Sequence, residues 1–451
     1  MNKSTLALAL AVALGVIAQQ ASAAGFIEDS KATLGLRNFY YDLNTKNTAD
    51  NRNEASEWGQ GFIFNYSSGF TEGTVGFGLD AVGLLGLKLD AGGDGDTGDR
   101  RKPGQLFPLD SDGKAVDDYS KAGVTAKVRV SKTEGRLGAL QPKLPVVTFN
   151  DGRLLPQLFE GGQITSNEID NLTLTAGQLE HTKTRSSTDD IGLRIAGATR
   201  PNGTPTSTPI ADSNKFYYGG ADYKISKDLL AQYYYGNLDD FYKQHFLGLT
   251  HTWAVGPGAL KSDLRYFHSD SDGKNGSVAG RAEGYKAQGE ITAANAISTT
   301  EVDNQTWSAL FTYTLGSHAL SAGYQQVSGD SAFPFLNQGD GSTAYLITDR
   351  QIGKFLSAGE RTWLAEYAYD FAKVGVPGLK ATVTYLSGDN IDAVGGDRKE
   401  WERDLRLDYV LQDGALKGLG VSWRNATLRG NTTAADQDEN RLILSYSLPI
   451  L

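Results

Sequence analysis

The sequence of 451 residues contains no cysteine and only one methionine. Disulfide bonds and thiolate metal sites are therefore excluded, and another closed network of interactions must stabilise the fold. Beyond residue 24 there is no apolar run of the roughly 20 residues that a transmembrane helix needs. The mean hydropathy is −0.35, as in a soluble protein. A helical membrane protein is excluded.

Residues with metal or catalytic chemistry form no pattern. The five histidines show no metal-ligand spacing beyond a six-residue gap between His245 and His251. No glycine-rich phosphate loop stands between a strand and a helix, and serine, histidine and aspartate are too common to define a triad. We therefore expect no cofactor, no metal and no nucleic-acid partner.

The N-terminal segment has the three parts of a secretory signal peptide. Lys3 lies near its start, an apolar run covers residues 6–18, and Ala21-Ser22-Ala23-Ala24 follows. The run is too short to span a membrane, although an N-terminal anchor is the alternative. We predict that residues 1–23 are removed on export. Residues 24–451 show no linker and no change of composition, so we expect one domain.

The sequence is rich in glycine and tyrosine, and its apolar and polar residues alternate in many segments. Its 54 glycines and 21 tyrosines favour strands and turns over helices. Between residues 75 and 89, apolar side chains on one face oppose glycine and charged residues on the other. Comparable runs predict strands at 58–66, 122–130, 172–176, 307–315, 379–385, 405–411, 419–423 and 442–450.

The length of these runs favours a transmembrane barrel over a soluble β-sandwich. Several extend for nine residues or more, the length that a tilted strand needs to cross a bilayer. Sandwich strands usually have about five or six residues. Short turns at 68–70 and 256–258 alternate with long loops such as 90–118, as in outer-membrane barrels.

Aromatic residues and backbone chemistry extend the barrel prediction. Aromatic triplets at 39–41, 216–218 and 233–235 suit girdles at the membrane interfaces. Every backbone N–H and C=O in hydrocarbon must be paired, so the barrel must be closed. The run 441–451 is the expected closing strand. Its last residue, Leu451, departs by one step from the lipid-facing aromatic position of the common assembly pattern.

The alternation of apolar and polar residues is interrupted at residues 141–171. They contain three prolines, two glycine turns and Asp151-Gly152-Arg153. An interdomain linker is the ordinary interpretation, yet alternating segments stand on both sides. We predict a loop that the barrel encloses. A second irregular stretch, 199–214, is predicted to be an external loop.

The most specific motifs are GFIEDS at residue 25, WGQGF at 58, SGFTEGTVGFGLDAVGLLGLKLD at 68, DDYSKAGVTAKVRVSKT at 117, NDGRLLPQ at 150 and YYYGNLDDFYKQHF at 233. With them the chain resembles the OprD-type substrate-specific outer-membrane channels, more closely the small-carboxylate branch than the basic-amino-acid branch. The resemblance covers essentially the whole mature chain. It implies an all-β barrel of about 18 antiparallel strands. It also implies that a long loop, after about the sixth strand, narrows the lumen; this corresponds to residues 141–171.

Alternation also assigns charged residues to a face. If the apolar face meets lipid, the inward cations are Arg37, Lys127, Arg129, Arg136, Arg265, Lys380, Arg406, Arg424 and Arg441. The net charge is −10, but much of the acid lies in loops, and a solute responds to the field that a low-dielectric wall focuses. Arginines in series can pass a carboxylate from one bidentate partner to the next. The alternative is salt bridging with inward acids such as Asp80, Asp404 and Asp408.

The resemblance adds candidate site residues. Asp151 and Arg153 match the Asp-Gly-Arg of the narrowest region in relatives, where Asp151 would orient the cations. Arg185 and Arg37 match positions at which relatives carry pore-facing arginines. The remaining predicted substrate-binding residues are Lys127, Arg129, Lys380, Arg406 and Arg424.

We therefore predict a passive channel of the Gram-negative outer membrane for small anionic solutes, aliphatic or cyclic carboxylates, and not an enzyme. Its expected partners are these solutes, outer-membrane lipid and, during biogenesis, the barrel-assembly machinery. The chain is expected to be a monomer or a weak trimer. The alternatives are a basic-amino-acid channel of the same family and an outer-membrane barrel enzyme, which an inward Ser–His pair would support. A TonB-dependent receptor fits less well, because no plug domain precedes the first strand.

Overall fold

The structure, a computed structural model, describes residues 24–46, 53–92, 101–195, 211–294, 296–336 and 343–451. The predicted signal peptide, residues 1–23, lies outside the described residues. Of the predicted external loop at 199–214, only residues 211–214 are described.

Eighteen long antiparallel strands form one closed sheet. In chain order they are β1 (Lys31–Thr45), β2 (Glu54–Ser67), β3 (Val75–Asp90), β4 (Asp118–Val130), β5 (Thr133–Leu140), β6 (Leu158–Ser166), β7 (Leu172–Lys183), β8 (Phe216–Ser226), β9 (Leu229–Leu238), β10 (Tyr242–Val255), β11 (Gly258–Ser271), β12 (Asp303–Leu315), β13 (His318–Ser328), β14 (Arg361–Asp370), β15 (Leu379–Ile391), β16 (Arg398–Val410), β17 (Gly420–Gly430) and β18 (Gln437–Pro449). Strand β1 pairs with both β2 and β18. The C-terminal strand therefore closes the barrel as predicted, and no sheet edge is left open to hydrocarbon.

The other elements are short. Ile191–Gly192 pairs with the end of β7. Two small hairpins consist of Lys143–Leu144 with Val147–Thr148 and of Ala287–Ile291 with Ile297–Thr300. The helices are α1 (Ala24–Glu28), α2 (Val278–Ala282) and the 3-10 turns Gly273–Gly276 and Phe371–Val374. None of the helices in the described ranges is both long and apolar enough to cross a membrane.

No predicted strand extends more than one residue beyond an observed strand, but some predictions cover only part of one. The prediction at 172–176 covers the first part of β7, and that at 379–385 covers the first part of β15. Both strands then continue with mixed polar and apolar residues, which apolar alternation does not mark. The predicted loop at 90–118 matches the connection between the end of β3 and the start of β4.

The longest connections all lie at the same end of the barrel. Those that follow even-numbered strands are short turns, for example 131–132, 256–257 and 316–317. The long ones, such as 184–215 and 272–302, follow odd-numbered strands. In bacterial barrels the short turns are periplasmic and the long loops extracellular, which orients this barrel in the membrane.

Large apolar side chains form an exposed band around the barrel, which includes Trp58, Trp253, Trp307, Trp363 and Trp423. The girdle prediction for the aromatic triplets needs correction, because only alternate members face outward. Tyr40, Tyr217 and Tyr233 are exposed. Their strand neighbours are buried inside the barrel: Phe39, Tyr41, Phe216, Tyr218 and Tyr234. Successive side chains on a strand point to opposite faces, so a triplet cannot lie wholly at the lipid surface.

Two connections fold into the lumen. Loop A, residues 141–157, joins β5 to β6, and loop B, whose described residues are 329–336 and 343–360, lies between β13 and β14. Loop A thus follows the fifth strand rather than the sixth. The rest of the irregular stretch 141–171 forms strand β6 and the turn after it.

Loop A crosses the lumen because its apolar residues are buried against different parts of the wall. Leu154 packs in one cluster with Phe39 of β1, and Val146 packs in another with Phe216 of β8. Gly59, in the WGQGF motif, permits the close approach: a Cβ at this position would lie 2.7 Å from a carbon of Leu154. A larger residue there would require the Leu154 and Phe107 side chains to shift.

Candidate functional site

Loops A and B separate two of the cavities in the lumen. The larger, about 900 Å³, reaches Gly378 and Gly420 at the short-turn ends of strands. The smaller, about 350 Å³, reaches Leu43 and Gln437 at the long-loop ends. Residues shared by both linings define the constriction: Gly152 and Arg153 from loop A, and Asp349, Arg350 and Gln351 from loop B.

The tip of loop A is held by β1. The guanidinium of Arg37 donates to both carboxylate oxygens of Asp151, at 2.7 and 3.2 Å, and to the carbonyl of Arg153 at 2.8 Å. The Asn150 side chain accepts from the Gly152 N–H at 2.8 Å, which tightens the turn. Because a bidentate arginine–carboxylate pair is directional, Arg37 fixes the orientation of the loop tip.

Glu439 of β18 joins the two loops. Its carboxylate is buried and accepts from Arg441 Nε at 2.5 Å and from Gln351 Nε2 of loop B at 3.0 Å. Arg153 Nη2 of loop A lies 4.0 Å from the other oxygen of this carboxylate. Both arginines lie over the ring of Tyr41, with 4.6 Å from Arg153 and 5.9 Å from Arg441 to the ring centroid. One wall carboxylate therefore contacts both halves of the constriction.

A second wall carboxylate, Glu402 of β16, fixes the inner part of loop B. It is fully buried and accepts three successive backbone N–H groups, from Gln351 at 3.2 Å, Ile352 at 2.9 Å and Gly353 at 2.5 Å. Arg265 of β11 holds the loop from the other side, with its guanidinium 4.1 Å from the Tyr345 ring centroid. Loop B is thus a crossbar attached to β11 and β16.

Three arginines lie side by side on the last three strands. The register places Arg406 of β16 opposite Arg424 of β17, and Arg424 opposite Arg441 of β18. We call these residues the arginine row. Arg406 and Arg424 line the larger cavity and Arg441 lines the smaller one, so the row runs from one cavity to the other past the constriction.

Carboxylates compensate some of these cations but not all. Arg406 pairs with Asp408 at 2.6 Å, and Arg441 pairs with Glu439. Arg424 donates to the Ser422 hydroxyl at 3.2 Å and, within the described part of the chain, has no ion-pair partner. Lys380, which also lines the larger cavity, likewise has no ion-pair partner among the described residues. The larger cavity therefore contains two cations that an entering anion could neutralise.

Six of the nine residues predicted from the sequence line the larger cavity: Arg37, Asp151, Arg153, Lys380, Arg406 and Arg424. They come from β1, loop A, β15, β16 and β17, and the fold brings them together. Their roles in solute passage stay predictions.

The other three predicted residues lie elsewhere and do not belong to the described lining of either cavity. Lys127 is buried in an ion pair with Asp80 at 2.7 Å, and Arg129 lies 4.2 Å from the Phe70 ring centroid. Arg185 is buried behind loop A, where its carbonyl accepts from Lys121 at 3.2 Å. Alternation places all inward cations on one face but cannot give their height along the barrel.

The sequence did not indicate that loop B enters the lumen, so its residues Asp349, Arg350 and Gln351 were not predicted. The two wall carboxylates that hold this loop, Glu402 and Glu439, were not predicted either. One signal was present. Opposite charges two residues apart on one strand face occur in Arg406-x-Asp408 and Glu439-x-Arg441, and each pair is an ion pair in the structure. This spacing marks a carboxylate that compensates a lumenal arginine.

The chemistry of an enzyme is not evident in this lumen. Across the described ranges no histidine is hydrogen-bonded to a serine; His245 contacts the Tyr233 hydroxyl and His318 the Tyr367 hydroxyl. The described residues contain one group of potential metal ligands, Glu160, His181 and Asp190. The ammonium group of Lys183 already lies 2.6 Å from Glu160 and 3.7 Å from Asp190, so it compensates both acids.

A closed barrel with an exposed apolar band, a charged lumen and two loops that narrow it defines a solute channel of the Gram-negative outer membrane. Comparison with known proteins agrees. The profile of the OprD family, described as outer membrane porin, matches residues 24–450. The chain belongs to the OprD family of outer-membrane porins and is a substrate-specific channel, not an enzyme.

Individual relatives span nearly the whole chain. The crystal structure of Pseudomonas aeruginosa OccK8 (OprE) is 60% identical and covers 95% of this chain and 100% of its own, with a TM-score of 0.85. The structure of P. aeruginosa OpdK with vanillate is 36% identical over 94% of this chain and 100% of its own, with a TM-score of 0.80. The porin-like protein GalP of Pseudomonas putida is 36% identical over 99% of this chain and 97% of its own.

Proposed function

We propose that the channel passes small anions, with small carboxylates preferred, and that the arginine row guides them past the constriction. The observation that carries this proposal is the register of the row. Arg406, Arg424 and Arg441 are direct cross-strand neighbours, and together they link the two cavities.

The arginine row does not stabilise the folded barrel. Like charges directly opposite each other on neighbouring strands destabilise a sheet. Asp408 and Glu439 reduce the repulsion at the ends of the row, but Arg424 at its centre has no ion pair among the described residues. An anion in the larger cavity would offset the remaining repulsion, so the row favours anion occupancy.

Carboxylates suit this arrangement better than compact anions. A guanidinium offers two parallel N–H groups that match the two oxygens of a carboxylate. Successive guanidinium groups allow the solute to exchange partners, and conduction requires each site to bind weakly enough for release. Vanillate, found with the related OpdK, is itself an aromatic carboxylate.

A basic-amino-acid channel is the second candidate, because carboxylates also line the larger cavity. They are Asp151, Asp349, Glu366, Asp404 and Asp408. Such a solute would place its cationic end near these acids and its carboxylate on the arginine row. Four of the five already have ion-pair partners, which favours the anion channel: Asp151 pairs with Arg37, Asp408 with Arg406, Asp349 with Lys354 and Glu366 with Arg350.

Reversal potentials in a KCl gradient across planar bilayers test the proposal. We expect the wild-type channel to be anion-selective. Arg424→Gln should lower the chloride-to-potassium permeability ratio by about two- to tenfold, as Coulomb's law gives for one charge across an aqueous pore. Arg424→Lys, which keeps the charge, is the matched control and should stay near the wild type.

Liposome swelling then separates the two candidates. Benzoate and succinate should enter faster than lysine or arginine of similar size. A cation-selective wild type, or faster entry of lysine, would support the basic-amino-acid channel instead. If Arg424→Gln and the wild type have the same permeability ratio, the arginine row does not guide anions.

A further inference from the structure

Glu439 is more buried than the two acids that pair with arginines in the larger cavity. Its side chain is 3% exposed, whereas Asp151, which pairs with Arg37, is 44% exposed and Asp408, which pairs with Arg406, is 26% exposed. It is also the described acid that contacts both loops, through Gln351 of loop B and Arg153 of loop A. A buried charge of this kind requires specific partners to be tolerated.

Those partners are the cations that a passing anion must meet. Arg153 lines both cavities, and Arg441 lines the smaller one and ends the arginine row. Glu439 lies 2.5 Å from Arg441 Nε and 4.0 Å from Arg153 Nη2. The protein therefore supplies its own carboxylate to Arg153 at the constriction and to Arg441 beside it.

Arginine–carboxylate pairs are strong, and two uncompensated guanidinium groups at the narrowest point would hold a carboxylate too tightly for rapid release. A resident carboxylate reduces the net charge of this cluster from two to one.

We propose that Glu439 is a positioning residue that sets how strongly the constriction binds a passing anion. Its carboxylate competes with the solute for Arg153 and Arg441, so the solute binds transiently and moves on. The inference rests on the proposed passage of anions, but it makes a separate statement: the negative charge at position 439, and not only its hydrogen bonds, controls selectivity.

A purely structural role is the competing explanation, because Glu439 also holds loop B through Gln351. Glu439→Gln separates the two. Glutamine has the same shape and keeps a carbonyl oxygen that can accept from Arg441 or Gln351, but it lacks the charge. A structural role predicts a noisier or smaller conductance with unchanged selectivity, whereas a charge role predicts changed selectivity.

The matched control is Glu134→Gln. Glu134 pairs with Arg136 at 2.5 Å across the same two-residue spacing on β5, and neither residue belongs to the described lining of the two cavities at the constriction. The variant removes an equivalent ion pair from another part of the wall, where Arg136 lines a separate lumenal cavity, so its permeability ratio should change less than that of Glu439→Gln.

The experiment is single-channel recording of the full mature chain in planar bilayers, with KCl gradients for selectivity and sodium benzoate as the probe carboxylate. Glu439→Gln should raise the chloride-to-potassium permeability ratio about two- to tenfold and lengthen benzoate blockades by a similar factor. Glu439→Asp, which keeps the charge but withdraws it by one methylene group, should change both in the same direction by less. If Glu439→Gln does not form a barrel, the permeability ratio and blockade lengths of Glu439→Asp test the inference instead.

A permeability ratio in Glu439→Gln that is unchanged or lowered overturns the inference, and so does an equal rise in Glu134→Gln. The wild-type recording tests the proposed function independently. A cation-selective wild type contradicts anion passage, whereas the shift between wild type and variant measures the charge effect of Glu439 in either case.

Discussion

Replacing Glu402 by glutamine tests how loop B is held in the lumen. The wild-type carboxylate accepts backbone N–H groups from Gln351 and Ile352 on one oxygen and from Gly353 on the other. The amide nitrogen of glutamine accepts no hydrogen bond, so one or two of these N–H groups lose their acceptor.

The magnitude follows from that count. Each buried N–H without a partner costs about 1 to 3 kcal/mol, and bonds to a charged acceptor are the stronger ones. We expect residues 351–353 to lose about 2 to 5 kcal/mol of attachment, since up to two such groups are affected. The fraction of channels with this segment detached should rise about 30-fold or more. The outer parts of loop B should stay in place, because Arg265 and Gln325 still bond to Tyr345 and Phe355.

Trypsin provides the assay, because Arg350 and Lys354 flank the clamped segment. Cleavage at these two positions in detergent-solubilised Glu402→Gln should be much faster than in the wild type, and single-channel currents should show larger open-state noise. Glu57→Gln is the matched control. Glu57 is also fully buried and accepts the N–H groups of Gly104, Gln105 and Leu106, but on a different loop.

Glu57→Gln should expose the Arg101–Lys102 bond to trypsin, since Pro103 prevents cleavage after Lys102, and leave Arg350 and Lys354 protected. If the cleavage rate at Arg350 and Lys354 and the current noise of Glu402→Gln match those of the wild type, the clamp does not hold the constriction.

Two further predictions concern the constriction and the wall. Arg153→Ala should slow carboxylate entry in liposome swelling more than Arg101→Ala does. Arg153 lines both cavities, whereas Arg101 lies in an outer loop and pairs with Asp90. Equal effects of the two substitutions would mean that Arg153 does not control passage through the constriction. Leu79→Arg should impair barrel assembly, measured as loss of the heat-modifiable band on gels, since a cation on the lipid face near the midplane costs about 2 to 4 kcal/mol. Thr33→Arg, at a position that lines a lumenal cavity, is the control, and normal assembly of Leu79→Arg would mean that residue 79 does not face lipid.

Much of the barrel could be predicted because strand alternation is a local property. The outward face of β3 is apolar at every second residue, and the structure exposes Val75, Phe77, Leu85 and Leu89 there. The closing strand was predicted for the same reason. Strand ends were predicted less well, as in β7, because residues above the membrane pack against loops and need no apolar face.

The site could be predicted only in part. Asp151 and Arg153 stand out because a polar turn interrupts the alternation, and the structure places both at the larger cavity. Lys127, Arg129 and Arg185 carry the same charge, yet they lie in other surroundings. Parity gives the direction of a side chain, whereas its height and its partners depend on strand tilt and on how the loops fold.

A closed, membrane-spanning β-barrel with an interrupted wall follows from the sequence alone, because period-two alternation and the need to pair every backbone group in hydrocarbon admit few other folds. What narrows the channel depends instead on contacts between residues far apart in the chain. Gln351 and Glu439 are 88 residues apart and meet at a 3.0 Å hydrogen bond, and Arg37 and Asp151 are 114 residues apart. Such contacts follow from the path of two loops across the lumen, and no local pattern of residues specifies that path.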